Sequence, residues 1–313
     1  MRRTTLLLAM TTGLILSGCA SAPKGLDNIR DQASREAVST SRSGTTLITE
    51  AESLSRDAQA QETYRFAPVL TKEAASSLKE ARMLQNKGRA DDQVRVKALA
   101  ASATYQRALE HTLMARETLA PSLAHMEVLN RINSRTYYPS DVAHVESKFA
   151  NIIATLETTA APASTAQSQR ELLLDMHAVE VSTIGFLQLQ KVRNQMKNLK
   201  DANAATLIPR SYKTAAKTLA SAEDLVQKTP RAEAEIASLR EQAEVSAAHA
   251  QVILSMVNET LDANSDNAEA LVLRTERWLY NIAGALKYPD IRHLPMDEQS
   301  RQLADGIEEL LQR

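Results

Sequence analysis

Two stretches decide the fold: "APVLTKEAASSLKEARMLQNKG", residues 67–88, and "IPRSYKTAAKTLASAEDLVQKT", residues 208–229. Laid over each other at an offset of 141, they match at Pro68/Pro209, Lys72/Lys213, Ala74/Ala215, Ala75/Ala216, Leu78/Leu219, Ala81/Ala222, Leu84/Leu225 and Lys87/Lys228. In the second stretch Ala215, Ala216, Leu219, Ala222, Leu225 and Val226 fall at three- and four-residue steps, the period of one helix face. Each stretch opens on a proline, whose missing N–H costs nothing in a first helical turn. Each closes on a turn signal, Gly88-Arg89 or Thr229-Pro230. Further on, Ile236, Leu239, Ala243, Ser246 and Ala250 keep the same spacing. Small residues on facing stripes let two helices lie close and antiparallel, so an αα-hairpin is predicted in both places.

Composition extends this to the whole chain. Only 4% of the 313 residues are aromatic, with 8 glycines and 9 prolines, so the core must be built from Ala, Leu, Val, Ile and Met. An all-α fold of antiparallel hairpins and bundles is expected. The 37 basic residues nearly balance 38 acidic ones, and no basic stripe exists to neutralise a phosphate backbone; a nucleic-acid partner is excluded on that ground.

The match continues outside the quoted stretches. Met114, Glu117, Thr118 and Leu119 face Met256, Glu259, Thr260 and Leu261; Glu127, Leu129 and Arg135 face Glu269, Leu271 and Arg277. Tyr138-Pro139 then faces Tyr288-Pro289, each expected to precede a final helix. The chain is therefore expected to hold two copies of one unit, 26–160 and 167–313, joined by a linker over 161–166. Within each copy a long helix (about 27–62, about 167–203) comes before the proline-led hairpin. Pro121 and the run Asn264-Ser-Asp-Asn267 are expected to interrupt the third helices. Ser140 or Asp141 is expected to cap the last helix of the first copy, with Asp297 as counterpart. "TYRFAP" (63–68) reads as a local core plug through Tyr64 and Phe66, and "STIGFLQLQ" (182–190) as the centre of the second bundle through Phe186.

The N-terminus carries a different signal. Arg2 and Arg3 precede an apolar run, Leu6–Leu16, which is too short to span a bilayer as a helix. It ends in Leu16-Ser17-Gly18-Cys19, which holds the chain's single cysteine and resembles the lipobox of bacterial lipoproteins. The resemblance implies a signal peptide over 1–18 and cleavage before Cys19. It further implies diacylglycerol on the Cys19 thiol, a fatty acid such as palmitate on its amine, and an acylated tether over 19–25. Three acyl chains exceed what stable anchoring requires. With Ala20 after the cysteine, the resemblance implies lodging in the outer membrane, facing the periplasm. No cysteine then remains for a disulfide.

The hairpins themselves resemble Ala-rich helical hairpins of unassigned function in Gram-negative envelope lipoproteins, some of which are joined to OmpA-like domains. Ala67-Pro68, the Ala/Leu stripe to Leu84, the turn at Gly88 and Val94–Leu109 carry this likeness, and 208–253 repeats it. An OmpA-type domain is not expected within these residues, so the resemblance does not extend to direct peptidoglycan binding.

Catalytic patterns are missing from the sequence. His111, His125, His144, His177, His249 and His293 form no metal-ligand spacing, and no Gly-x-Ser-x-Gly elbow or phosphate loop occurs. No enzyme, metal or cofactor is expected. Aromatic clusters mark the candidate partner-binding positions: Tyr137 and Tyr138 in "SRTYYP", and Trp278, Tyr280 and Tyr288 in "ERWLYNIAGALKYP". The expected function is a non-enzymatic periplasmic scaffold for envelope proteins, OmpA-like ones among them. A peptidoglycan- or lipid-binding module is the alternative, and a cell-wall hydrolase a remoter one.

Overall fold

The computed structural model describes residues 25–159, 162–262 and 265–312, and every regular element among them is an α-helix. The chain divides into two compact units, one up to Thr183 and one from Ile184.

The first unit holds α1 (Leu26–Ser39), α2 (Gly44–Ala60), α3 (Thr63–Phe66), α4 (Pro68–Asn86), α5 (Asp91–Thr118), α6 (Ala120–Arg131), α7 (Ser134–Tyr137), α8 (Pro139–Thr159) and the first half of α9 (Pro162–Asp201). The single helix expected over 27–62 is two helices. Ser43 is extended and its side chain accepts the Thr46 N–H, which starts α2 afresh. Gly44 lies so close to α5 that a Cβ there would come within 2.7 Å of Val94 Cγ1, and its N–H donates to Asp91 Oδ1 at 2.9 Å.

Alanine explains the closeness. Ala51, Ala74, Ala81, Ala98 and Ala101 are all fully buried where α2, α4 and α5 meet, with Leu47, Leu78 and Tyr105 filling the space between. Gly88 ends the α4 cap in the left-handed region, and the Arg89 N–H reaches back to the Leu84 carbonyl at 3.0 Å. A second cluster uses larger side chains: Val145, Phe149, Ile152 and Leu156 of α8 pack with Leu172, Met176 and Val179 of α9. Phe66 is buried in this cluster, so it is a core plug as expected. Tyr64 is not; it is exposed.

One turn is built three times. Glu62, Asn133 and Asn203 all adopt positive φ (56°, 54° and 58°), each followed by a four-residue helix and then a proline that opens a long helix. The steps between them are 71 and 70 residues, so the 141-residue offset of the sequence match spans two of these steps. The first helical residue of each turn, Thr63, Ser134 and Ala204, is fully buried. Tyr138-Pro139 therefore belongs with Ala67-Pro68 and Ile208-Pro209. Tyr288-Pro289, expected to be its counterpart, follows a positive-φ Lys287 but has no four-residue helix, and the next helix starts only at Met296.

The second unit holds the rest of α9, then α10 (Ala204–Leu207), α11 (Pro209–Lys228), α12 (Glu233–Leu261), α13 (Ser265–Ala285) and α14 (Met296–Leu311). Ala215, Ala222 and Val226 are the buried face of α11, and Ile236, Ala243, Ala247 and Ala250 that of α12, which packs against it. This is the second predicted hairpin. α9 starts at Pro162, so the stretch expected as a linker is helical from that residue on. The expected caps also shift: Asp141 lies inside the first turn of α8, and Asp297 inside that of α14 behind Pro295. Phe186 is exposed, because the buried stripe of α9 runs through Leu189, Val192 and Leu199 instead. α9 is long and apolar enough to cross a membrane, but Glu180 is buried near its middle, at 2.8 Å from His125 Nε2.

Candidate interaction surface

Cys19 and the lipobox residues Leu16, Ser17 and Gly18 lie outside the described residues. The aromatic positions fall in both units. Tyr137 is exposed and Tyr138 half-buried beside the Asn133 turn of the first unit. Trp278, Tyr280 and Tyr288 belong to α13 and the segment after it, in the second unit.

These last three do different things. Tyr288 is structural. It packs with Leu279, Leu286 and Leu294 around buried Ala283, Ile291 and Leu303, and its ring lies against Gly306, where an added Cβ would come 2.9 Å from Cε2. Gln299 is buried beside this core, where its Nε2 donates to the Leu294 carbonyl at 2.8 Å. Trp278 and Tyr280 point elsewhere and are each 46% exposed, with Ile282 at 45%.

Helical spacing accounts for the split. Val272, Leu279, Ala283 and Leu286 form one stripe of α13, and α14 with its preceding segment covers the last three of these. Leu271, Thr275, Trp278 and Ile282 form a second stripe at i, i+4, i+7 and i+11, beside the first. Leu271 of this stripe is half-buried, but Trp278 and Ile282 stay open to solvent, as do Val272 and Leu273. α13 is thus apolar over a wider arc than its own hairpin buries.

Two arginines frame the exposed rings. The Arg274 guanidinium stands 5.9 Å from the Trp278 ring and binds Glu259 through Nη2 at 2.7 Å. Arg292 stands 4.4 Å from the Tyr280 ring and is paired with Asp290 at 2.6 Å. Hydrogen bonds from the Arg292 side chain and backbone hold the Asp290 carboxyl down at about 2.

No group of three or more His, Cys, Asp or Glu among the described residues is placed to hold a metal ion. Two surface depressions of the first unit are open: one of about 400 Å³ is lined by Tyr64, Arg65, Pro68, Met126, Glu146 and Phe149, and one of about 270 Å³ lies by Asp141, His144 and Asp175.

Buried ionisable groups, which sequence reasoning missed, serve the framework. Glu157 of α8 accepts the Leu70 N–H at 2.6 Å and the Val69 N–H at 3.1 Å, capping α4 from a distant helix. His111 donates Nδ1–H to the Phe66 carbonyl at 3.1 Å. Spacing along the chain holds no trace of either pairing, since the partners lie 87 and 45 residues apart.

No protein-family profile, curated protein or solved structure matches the chain.

Proposed function

We propose that the protein is a non-enzymatic adaptor: an acylated lipoprotein of the outer membrane, tethered at Cys19, whose helical body in the periplasm binds another envelope protein. The observation that carries the binding half is the uncovered stripe of α13. Trp278 and Ile282 offer large apolar area with little side-chain freedom left to lose, which is the make-up of binding hot spots. The anchoring half rests on Leu16-Ser17-Gly18-Cys19 after a short apolar run.

Photo-crosslinking in whole cells tests the binding half. A photoreactive residue at 278 is expected to trap one discrete protein partner, whereas the same residue at exposed Ser221 on α11 traps none. Equal labelling from both positions, or none from 278, refutes the adaptor. For the anchor, Cys19→Ala is expected to accumulate uncleaved, unacylated precursor; normal processing of that variant refutes it.

A further inference from the structure

The groove of about 400 Å³ in the first unit combines two chemistries that binding through α13 does not use. Buried Phe149 and Ile153 of α8 line it together with half-buried Met126 of α6, so much of its wall is apolar. Tyr64, 60% exposed, and Pro68 line it as well. Two charged side chains complete the lining, and one of them is already matched: Glu146 is ion-paired with Arg135. Arg65 has no ion pair among the described residues, and its guanidinium lies 5.4 Å from the Phe66 ring. The volume falls among those of small-molecule sites, about 300–1,000 Å³. An apolar wall beside an unmatched guanidinium fits a ligand with an apolar tail and an anionic head. Phosphate is the head that a guanidinium fork recognises best, through parallel N–H donors.

The N-terminal tether decides where such a ligand comes from. Leu26 opens α1 and is buried with Ala67 and Leu70, which lie on either side of groove-lining Pro68. Only residues 20–24 separate Cys19 from Gly25, and a chain of that length spans about 22 Å at most. A bilayer that holds the acyl chains of Cys19 is therefore kept close to the α3–α4 junction, where its lipids have a high effective concentration. Tyr64 suits that boundary, with an apolar ring and a polar tip.

We propose that the groove binds one anionic phospholipid of that bilayer, with an acyl chain against Phe149 and Ile153 and the phosphate at Arg65. The bound lipid is a second hold on the membrane besides the acyl chains of Cys19, and it sets which side of the first unit faces the bilayer. The ligand's chemistry rests on the groove; its source rests on the acylated Cys19 proposed above.

The test uses the purified full-length chain in nanodiscs of phosphatidylcholine that contain phosphatidylglycerol with a diazirine at the end of one acyl chain. After illumination, labelled peptides are mapped by mass spectrometry. Label is expected on the peptides that carry Met126 and residues 149–153. Arg65→Gln removes the cation, and Ala150→Glu sets a carboxylate on an exposed groove-lining position of α8; each should cut that label at least five-fold. Both positions are exposed, so neither change disturbs the core, and Arg107→Gln on exposed α5 surface should leave the label unchanged. Label spread evenly over the first unit, or both groove variants within two-fold of wild type, overturns the inference. So does an unlabelled groove from which a photoreactive residue at 150 traps a protein in whole cells, which would give the groove to a protein partner. An acylated chain with an unlabelled groove loses this site and keeps the anchor. A labelled groove on a chain that carries no acyl group at Cys19 keeps the site and removes the anchor.

Discussion

Removing the Glu157 carboxylate should unfold more than its own helix turn. Pro68 has no N–H, and Ala67 provides no side-chain cap, so the first N–H groups of α4 in need of partners are those of Val69 and Leu70. Glu157 serves both, through Oε2 and Oε1, from α8. Glu157→Ala leaves two donors without an acceptor, and the Leu70 donor is buried. Each orphaned donor costs about 1–3 kcal/mol, partly offset because a buried charge disappears with them. The expected net loss is about 2–4 kcal/mol at pH 7. In a unit of this size that lowers the melting temperature by about 6–12 °C. Glu157→Gln keeps one acceptor oxygen, enough for the buried Leu70 N–H, but turns an NH2 toward the other donor, so it should cost about 1–2 kcal/mol and fall between wild type and Glu157→Ala.

A pH series gives the sharper test. Burial raises the Glu157 carboxyl above its ordinary value, and the Leu70 and Val69 N–H groups with the His111 ring only partly oppose it. With the folded pKa above the unfolded one, the folded chain binds this proton more tightly. The associated stability is fully present below the unfolded carboxyl pKa, about 4.3, and is lost as pH rises through the folded pKa. Circular dichroism melts across that window should show wild type losing this increment and Glu157→Gln not losing it. If Glu157→Ala costs less than about 0.5 kcal/mol, or if the Gln variant keeps the full wild-type slope, Glu157 is not the cap of α4.

Four further outcomes follow from particular contacts. Gly44→Ala should cost about 1–3 kcal/mol in urea unfolding, because its Cβ would meet Val94 Cγ1 and Asp91 Oδ1 at 2.7 Å with little freedom to yield. Gly306→Ala should raise hydrogen exchange in α13 and α14 by loosening the Tyr288 ring, and should leave α11 and α12 unchanged. Thr183→Val removes the partner 3.0 Å from the buried Ser134 hydroxyl and should destabilise the first unit by about 1–2 kcal/mol in thermal melts. Arg292→Ala should raise the Asp290 carboxyl from about 2 toward its ordinary value, read by NMR titration of its side chain. Since that group's folded pKa is the lower one, its contribution is present above the unfolded value and fades only as pH falls toward about 2.

The sequence makes the hairpins legible because alanine stripes report close packing directly. Ala74, Ala81, Ala215 and Ala222 are each fully buried, and prolines mark where α4 and α11 begin. The break at 40–43 does have a local signal, the Ser43 cap at the head of α2, but what fixes it there is long-range, the close approach of Gly44 to α5. Trp278 and Tyr280 were visible as residue types. Their separation from Tyr288 was not, because it turns on which stripe of α13 its own hairpin covers. Glu157 and His111 were beyond reach for the same reason as any long-range cap: nothing local to either residue distinguishes it from a solvated one.

The turn recurs at steps of 71 and 70 residues, yet the letters of the sequence repeat only at 141. Counted from Pro68, Pro139 and Pro209, the positions six and thirteen residues on are buried in all three helices. In α4 and α11 they are Ala74/Ala81 and Ala215/Ala222; in α8 they are Val145/Ile152. The middle helix uses larger side chains because it packs on α9 with Phe149 between them, so its likeness to the outer two is one of position and not of letters. The turns drift in the same manner. Ser134 pairs with Thr183; one step earlier Thr63 and Thr112 are equally buried, yet Thr63 pairs with Thr71 and the Thr112 hydroxyl has no partner. One step later the positions are Ala204 and Leu254, wholly apolar. What persists across the three is the positive-φ residue, a small side chain behind it and the proline after four helical residues, which are the features that backbone geometry itself demands.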